Sequence, residues 1–303
     1  MDNVCHTLVG AALGEAGLKR HTRLGSATLM IAANLPDVDV LVFATDMPSV
    51  AFRRGWTHGL LGQALLPLVL SAIMLFAART FDRHGGSPPI RARWLVTLSY
   101  IGVLSHVWLD LLNNYGVRLL APFNWKWFYG DAVFIIDPWL WLILGGGTWL
   151  ARRARSGGAA RWGLVVAAVY IASMCVTARL ARNIVLSEWR AGHAGDPRGL
   201  MVGPLLVTPL RREVIIDTGT SYRTGTFSWL PTAVVLDAAV VPKNDDDPRV
   251  ARAREAPHIR AFLVWSRFPF WTFEPAADGT RVSVADMRFA GREGSFVQSV
   301  IVR

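Results

Sequence analysis

Long apolar runs dominate residues 24–181, whereas residues 182–303 alternate polar and apolar positions as ordinary globular sequence does. A helix needs roughly 17–25 residues to cross the hydrocarbon core of a bilayer. Runs at 60–78, 95–112, 133–150 and 162–180 meet this length with few charges. A fifth run, 24–44, has the length but contains Asn34, Pro36, Asp37 and Asp39. The pattern therefore predicts an α-helical polytopic membrane bundle of about five spans.

The two ends of the chain predict different structures. Residues 4–17 form a shorter helical stretch rich in glycine and alanine, which predicts a partial span or a helix packed closely against others. Alternation at 281–287 and 295–302 predicts strands, and the acidic run 244–248 predicts a solvated turn. We therefore expect a helical membrane domain at 1–181 and a small β-rich extramembrane domain at 182–303.

The number and distribution of charged residues support a membrane domain and predict its orientation. The chain is 52% hydrophobic and 18% charged, against about 25% charged in soluble domains. Its net charge of +10 comes from basic clusters between apolar runs, so we expect no nucleic-acid partner. Segments 18–23, 79–94 and 151–161 hold eleven Lys/Arg, and 45–59 with 113–132 hold four. The positive-inside rule places the first set in the cytoplasm and the C-terminal domain on the opposite face of an inner membrane. Cys5 and Cys175 predict no disulfide framework, and the N-terminus resembles no cleavable signal peptide.

Ionisable residues inside an apolar run cost at least about 2.5–3.5 kcal/mol each near the bilayer centre. His106 and Asp110 stand four residues apart in the run 95–112, so they share one helix face, which Asn113 continues. This spacing suits two ligands of one metal, or a histidine oriented by a carboxylate. The alternative is a hydrogen-bonded pair that joins neighbouring helices.

Three other segments carry candidate ligands. Asp37 and Asp39 follow Pro36, which interrupts a regular helix, so both carboxylates can face one site if the backbone is irregular there. The alternative is a polar loop at the membrane surface. His58 precedes the run 60–78, and His6 lies near the N-terminus. Each of these histidines alone is more typical of a structural residue.

The predicted orientation brings the candidates to one depth in the outer half of the bundle. Three imidazoles and three carboxylates form a nitrogen and oxygen donor set that suits Zn²⁺, with Mn²⁺ or Fe²⁺ as alternatives, and one to three ions. The candidate metal ligands are His6, Asp37, Asp39, His58, His106 and Asp110. Asp131 and Asp137 are more distant candidates, and Asp137 is more typical of a cap on a helix that begins at Pro138.

These motifs, in this order, resemble the YdjM-type family of inner-membrane, metal-dependent hydrolases. The likeness rests on His6, Leu-Pro-Asp-Val-Asp at 35–39, Arg-Gly-Trp-Thr-His-Gly-Leu-Leu at 54–61 and Ser-His-Val-Trp-Leu-Asp-Leu-Leu at 105–112, and covers roughly residues 1–145. Gly59 stands where the family pattern often has serine. The family is distantly similar to zinc-dependent phospholipase C and P1 nuclease, which implies phosphoester hydrolysis.

The sequence thus predicts a membrane-embedded hydrolase that acts on a lipid or lipid-linked phosphoester at the non-cytoplasmic face. Asp39 or Asp110 is the expected general base. Arg53 or Arg54 is the expected contact for an anionic head group, and Arg54 is the one we place with the catalytic residues. The alternative function is a membrane scaffold or transport protein in which these residues form a buried polar network, although internal repeats typical of transporters are not evident.

Overall fold

The computed structural model of the chain describes residues 1–45, 49–81, 89–290 and 296–303. Contacts between Cα atoms divide it into two compact units. The first unit contains Met1–Leu41 and Arg54–Val176, and the second contains Val42–Arg53 and Thr177–Arg303. The sequence-based division between 181 and 182 stays a prediction.

The helices follow one another in the order that the apolar runs predict. In chain order they are α1 (Asn3–Glu15), α2 (Gly25–Ala32), α3 (Ser49–Phe52), α4 (Leu60–Phe81), α5 (Ala92–Leu111), α6 (Pro138–Arg153), α7 (Gly158–Gly192), α8 (Pro248–Ala253) and α9 (Pro257–Trp265). In the described part of the chain, three 3-10 helices cover Leu18–Arg20, Leu35–Ala44 and Met287–Phe289.

Within the described ranges, three helices are long and apolar enough to cross a membrane: Leu60–Thr80, Ala92–Leu111 and Gly158–Gly192. Gly25–Ala32 and Leu35–Ala44 are bent by 51° relative to each other and make a fourth if they form one span. The run 133–150, predicted as a span, becomes helical only at Pro138, and α6 has 16 residues. The predicted count of five spans is therefore not confirmed.

The bend between α2 and the 3-10 helix Leu35–Ala44 has a local cause. Pro36 lacks a backbone N–H and cannot continue the hydrogen bonding of α2. The Asn34 side chain occupies the break by donating to the carbonyl oxygen of Met30, at 2.9 Å, and to Thr7 Oγ1, at 2.9 Å. The chain therefore leaves the α-helix just before Asp37 and Asp39.

Small residues bring α1, α2 and α5 close together. A Cβ atom at Gly10 would lie 2.8 Å from the carbonyl oxygen of Leu29, and one at Gly102 would lie 2.4 Å from the Cβ of Ala32. The close packing that was expected of the N-terminal stretch is thus realised. Apolar side chains of α2, α4 and α5 form a buried cluster beside these contacts: Ala32, Leu70, Met74, Leu95 and Val103.

The second unit contains the predicted β-rich region. An antiparallel four-stranded sheet has the order β1 (Gly199–Pro204), β2 (Arg211–Asp217), β3 (Ser221–Trp229) and β4 (Thr232–Pro242). A three-stranded antiparallel sheet contains β5 (Pro269–Ala276), β6 (Gly279–Asp286) and β7 (Val297–Val302). The last two strands confirm the alternation seen in the sequence, and the acidic run before α8 is the predicted turn.

Both sheets of this unit have helical partners. The C-terminal part of α7 packs Val185 and Trp189 onto Val202, Val214 and Phe227 of the first sheet. Helices α8 and α9 contact β7 of the second sheet, and the fully buried Trp265 of α9 lies against the Phe289 ring just after β6. The unit thus has apolar cores of its own.

Candidate metal centre

Four buried side chains from three segments converge in the first unit. Asp37 comes from the 3-10 helix after α2, His58 from the turn before α4, and His106 and Asp110 from α5. One ligand atom of each lies within 4.8 Å of those of the other three. The predicted pairing of His106 with Asp110 on one helix face is present, with 3.6 Å between Nε2 and Oδ2.

The spacing of these atoms fits one ion. The Nε2 atoms of His58 and His106 are 3.1 Å apart, and each lies 3.8 Å from Oδ1 of Asp37. Oδ2 of Asp110 is 3.4 Å from Nε2 of His58. Atoms bound tetrahedrally at about 2.0–2.1 Å from Zn²⁺ stand roughly 3.3 Å from one another. Two imidazoles and two carboxylates therefore match the donor type and the separation that a divalent cation requires.

His106 is held so that its Nε2 lone pair faces the cluster. Its Nδ1 lies 2.7 Å from the carbonyl oxygen of Ala33. Ala33 is the C-cap of α2, and a carbonyl at a helix end lacks an intrahelical donor. Because a carbonyl can only accept, the ring proton is on Nδ1, as is usual for histidines that bind metals through Nε2.

His58 is oriented by a chain of polar contacts on the side of its ring away from the cluster. Its Nδ1 is 3.0 Å from Oγ1 of Thr57, and the Thr57 hydroxyl donates to Oδ2 of Asp39, at 3.1 Å. The same carboxylate oxygen lies 3.5 Å from Nδ1 of His58 and accepts from the backbone N–H of Arg54, at 2.7 Å. The structure thus places Asp39 behind His58 and outside the four-residue group.

Arg54 lies beside the cluster and contacts one of its carboxylates. Its Nη2 forms an ion pair with Oδ2 of Asp110, at 2.9 Å, and its Nη1 donates to Oδ1 of Asn113 at 3.2 Å. Its guanidinium carbon lies 4.6 Å from the centre of the Tyr115 ring. This side chain therefore contacts Asp110 in the structure, and its expected role as a head-group contact stays a prediction.

His6 borders the group without being one of its four members. Its ring stacks on that of His106, with centroids 3.8 Å apart, and its Nε2 is 3.4 Å from Oδ1 of Asp110. Within the described part of the chain, neither ring nitrogen of His6 makes a hydrogen bond. The amino group of Met1 also contacts Oδ1 of Asp110.

The charges around the site favour a cation. The carboxylates of Asp37, Asp39 and Asp110 all lie beside His58, and Arg54 and the amino group of Met1 contact Asp110. All three carboxylates are buried. Uncompensated buried charge is costly, so a divalent cation would stabilise this arrangement.

The two more distant acidic candidates lie outside the group. Asp137 caps α6, as predicted, by accepting from the backbone N–H groups of Trp139 and Leu140, at 3.0 and 3.1 Å, and Tyr170 donates to its second oxygen at 3.0 Å. Asp131 is not a member of the four-residue group either.

Two supporting residues were missed in the sequence. Thr57 could have been identified, because a hydroxyl directly before a candidate histidine ligand can accept a hydrogen bond from its ring N–H. The Ala33 carbonyl carried a weaker signal, since the Asn34–Pro36 break predicts an unpaired carbonyl at the helix end but not which side chain will reach it.

The residues of this centre lie in the part of the chain that matches a known membrane family. The profile of the YdjM inner membrane protein family matches residues 1–181, and the chain belongs to that family. It is also similar to an uncharacterized protein, YfhP, of Bacillus subtilis (strain 168), at 22% identity over 305 residues, which cover 96% of this chain and 88% of the relative. No solved structure matches the chain.

Proposed function

We propose that the protein is a membrane-embedded, metal-dependent hydrolase that acts on a phosphoester of a lipid or lipid-linked substrate at the non-cytoplasmic face. The observation that carries the proposal is the convergence of Asp37, His58, His106 and Asp110, each buried, within 4.8 Å. Membership of an inner-membrane family supports the location. The distribution of Lys and Arg between the loops supports the orientation, with the C-terminal region on the non-cytoplasmic side.

The four converging residues are the ones that would hold the ion. Zn²⁺ is the cation that best suits two imidazoles with two carboxylates, and Mn²⁺ or Fe²⁺ are the alternatives. A bound divalent cation would lower the pKa of a water toward about 7 and polarise a phosphoryl oxygen. Asp39 and Thr57 would keep His58 in its tautomer, and Ala33 would do the same for His106.

The second oxygen of Asp110 lies on the side of the carboxylate that faces His6 and the amino group of Met1. Its Oδ2 faces His58 and Arg54, whereas its Oδ1 faces His6, with 3.4 Å to Nε2. We assign Oδ1 of Asp110, with His6 beside it, to take up the proton released on hydrolysis. Asp39 lies on the far side of His58 and is assigned to positioning.

A groove beside the cluster supports a lipid substrate. It has a volume of about 500 Å³, and Asp37 lines it together with Asn34, Thr7 and the apolar Ile31 and Val38. Ile31 and Val38 are 45% and 40% exposed. An acyl chain would lie against the apolar wall while the head group reaches Asp37.

The experiment is a metal analysis of the purified full-length protein in neutral detergent, with His106→Ala and His21→Ala as paired variants. His21 is a matched control because its ring is also stacked, on Trp94 with centroids 3.8 Å apart, but it lies outside the cluster. We expect at least one ion per chain in the wild type and in His21→Ala, and a large loss in His106→Ala. Hydrolysis of a short-chain phosphatidic acid should fall with the metal content. A wild type without metal, or equal metal content in both variants, would refute the proposal.

A scaffold or transport function is the second candidate. It is favoured by the contacts of Arg54 with Asp110 and Asn113, since a buried polar network of this kind also joins helices. In that case Asp110→Asn would lower thermal stability and leave any phosphatase activity of the preparation unchanged. A hydrolase would lose turnover in this variant while its elution profile and helical content remain those of the wild type.

A further inference from the structure

Arg118 is a buried cation whose best hydrogen-bonding edge is not used by the protein. It lies in the segment between α5 and α6, and 4% of its surface is exposed. Its Nε and Nη2 make no hydrogen bond to any residue in the described ranges. These two nitrogens form the edge of a guanidinium that binds two oxygens of a phosphate or carboxylate side by side.

The backbone around Arg118 is fixed, so this edge has a defined position. The Arg118 N–H donates to the carbonyl oxygen of Arg54 at 3.0 Å, and its carbonyl accepts from the N–H of Ala121 at 3.1 Å. Residues 117 and 128 form an antiparallel bridge on one side of it. The backbone contact with Arg54 ties Arg118 to the residue that contacts Asp110 of the metal centre.

Aromatic rings surround the guanidinium where a carboxylate would be expected. Its central carbon lies 4.5 Å from the ring centre of Trp127 and 5.3 Å from that of Trp125. Rings attract a cation but accept no strong hydrogen bonds at its edge. Burial accordingly lowers the pKa of Arg118 from its ordinary value. Trp125 is the more exposed of the two tryptophans, at 43%, so a ligand would approach the guanidinium from its side.

The two arginines near the site thus differ in what they contact. Arg54 has its guanidinium on Asp110 and Asn113, whereas Arg118 has its guanidinium between tryptophan rings. An anion at Nε and Nη2 would provide the missing acceptors and offset the cost of burying the charge.

We propose that Arg118 is a binding residue for an anionic phosphate group, which it holds through Nε and Nη2. The phosphate belongs either to a lipid head group or to free phosphate. The link between this subsite and substrate rests on the proposed hydrolase function; the binding itself does not.

The test is a calorimetric titration of the full-length protein in neutral detergent after chelator treatment and desalting, so that no ion contributes to binding. The two probes are inorganic phosphate and dihexanoyl phosphatidic acid. The variants are Arg118→Gln, Arg118→Lys and the control Lys126→Gln, which removes the same charge from an exposed position in the same segment. Circular dichroism and elution volume check the fold of each variant.

We expect Arg118→Gln to weaken binding about tenfold or more, because two charge-assisted hydrogen bonds are lost. Lys126→Gln should stay within about twofold, since the charge of an exposed side chain is screened by solvent and salt. Arg118→Lys keeps the charge but lacks the two parallel N–H donors of a guanidinium, so we expect its phosphate affinity to lie between those of the wild type and Arg118→Gln. If Arg118→Gln does not fold, the affinity of Arg118→Lys tests the proposal. Binding of both probes by the wild type indicates free phosphate as a ligand, and binding of the lipid alone indicates a head group.

Unchanged affinity in Arg118→Gln or, failing that, in Arg118→Lys would overturn the proposal, as would a wild type that binds neither probe. This outcome is distinct from failure of the hydrolase proposal. A wild type that never contains metal refutes the hydrolase, while the titrations on metal-free protein still decide the role of Arg118.

Discussion

Asp39→Asn tests whether the carboxylate behind His58 supports metal binding through that histidine. Oδ2 of Asp39 accepts from the backbone N–H of Arg54 and from the Thr57 hydroxyl, and it lies 3.5 Å from Nδ1 of His58. An asparagine keeps one acceptor oxygen for the first two contacts, so the backbone of the turn should persist. What is lost is the negative charge that keeps the His58 ring oriented and makes its Nε2 a stronger donor to a cation.

The magnitude follows from this role. Removing a partner that orients a metal-binding histidine typically lowers metal affinity about 10–100-fold, which corresponds to about 1.4–2.7 kcal/mol. We expect this range for Asp39→Asn, and a near-complete loss for Asp37→Asn, because Oδ1 of Asp37 belongs to the converging group itself. The difference between the two variants is the result that separates a ligand from a positioning residue.

The assay is competition with a chromogenic zinc chelator, carried out on purified full-length protein, with thermal unfolding measured in parallel. Asp137→Asn is the matched control, since Asp137 is also buried in the first unit but caps α6, where asparagine caps nearly as well as aspartate. It should keep wild-type metal affinity. Affinity within twofold of wild type in Asp39→Asn, or an equal loss in Asp137→Asn, would refute the assignment.

Two further predictions concern the packing of each unit. Gly102→Val should separate α5 from α2, because a Cβ there would lie 2.4 Å from Cβ of Ala32 and 2.9 Å from the Ala33 nitrogen. We expect the free energy of unfolding to fall by about 1–3 kcal/mol, measured by thermal unfolding. Metal binding should also weaken, since Ala33 orients His106. A variant with wild-type stability and wild-type metal content would contradict this. In the second unit, burial alone would raise the pKa of Asp286. The charge of Arg288 outweighs burial, together with hydrogen bonds from Arg288, Ser266 and the Phe268 N–H, and the pKa lies below its ordinary 3.8. The stabilisation is therefore complete above about pH 3.8 and is lost as the pH falls through the lower folded-state pKa. Asp286→Asn should cost about 3–5 kcal/mol and remove this part of the acid sensitivity, measured by tryptophan fluorescence against pH; an unaltered acid transition would contradict it.

The spacing of residues along the chain predicted several helices, strands and caps, because these features depend on interactions between residues close in sequence. The i, i+4 spacing placed His106 and Asp110 on one face, and Asp137 followed by Pro138 predicted a helix cap; both features depend on nearby residues only. Alternation predicted β6 and β7 for the same reason. The span count was less predictable, since the apolar run 133–150 did not reveal that the chain becomes helical only at Pro138.

The assignment of roles within the site required tertiary structure. Asp37 and Asp39 are two residues apart and chemically identical, so the sequence treated them alike. The 3-10 turn after Pro36 directs one toward the cluster and the other toward the back of His58. Arg54 adopts φ 54°, an uncommon conformation for a non-glycine residue, and this backbone was not evident in the sequence. Arg118 was counted only as a loop charge, because its tryptophan neighbours come into contact through the folding of the segment 113–132.

Asp137 and the four-residue cluster differ in how their buried polar groups are satisfied. Asp137 is surrounded by neutral donors from the chain itself, two backbone N–H groups and the Tyr170 hydroxyl, so its burial needs nothing further. At the cluster, Nδ1 of His106 donates to a carbonyl, and Nδ1 of His58 faces a hydroxyl that is itself donating to Asp39. The two Nε2 lone pairs then face each other at 3.1 Å, beside two carboxylates. Acceptors gathered at this distance repel one another unless a proton or a cation lies among them, and a helix–helix contact would gain nothing from such an arrangement. A cation that binds all four would make the arrangement favourable, and this supports the proposed metal centre over structural hydrogen bonding.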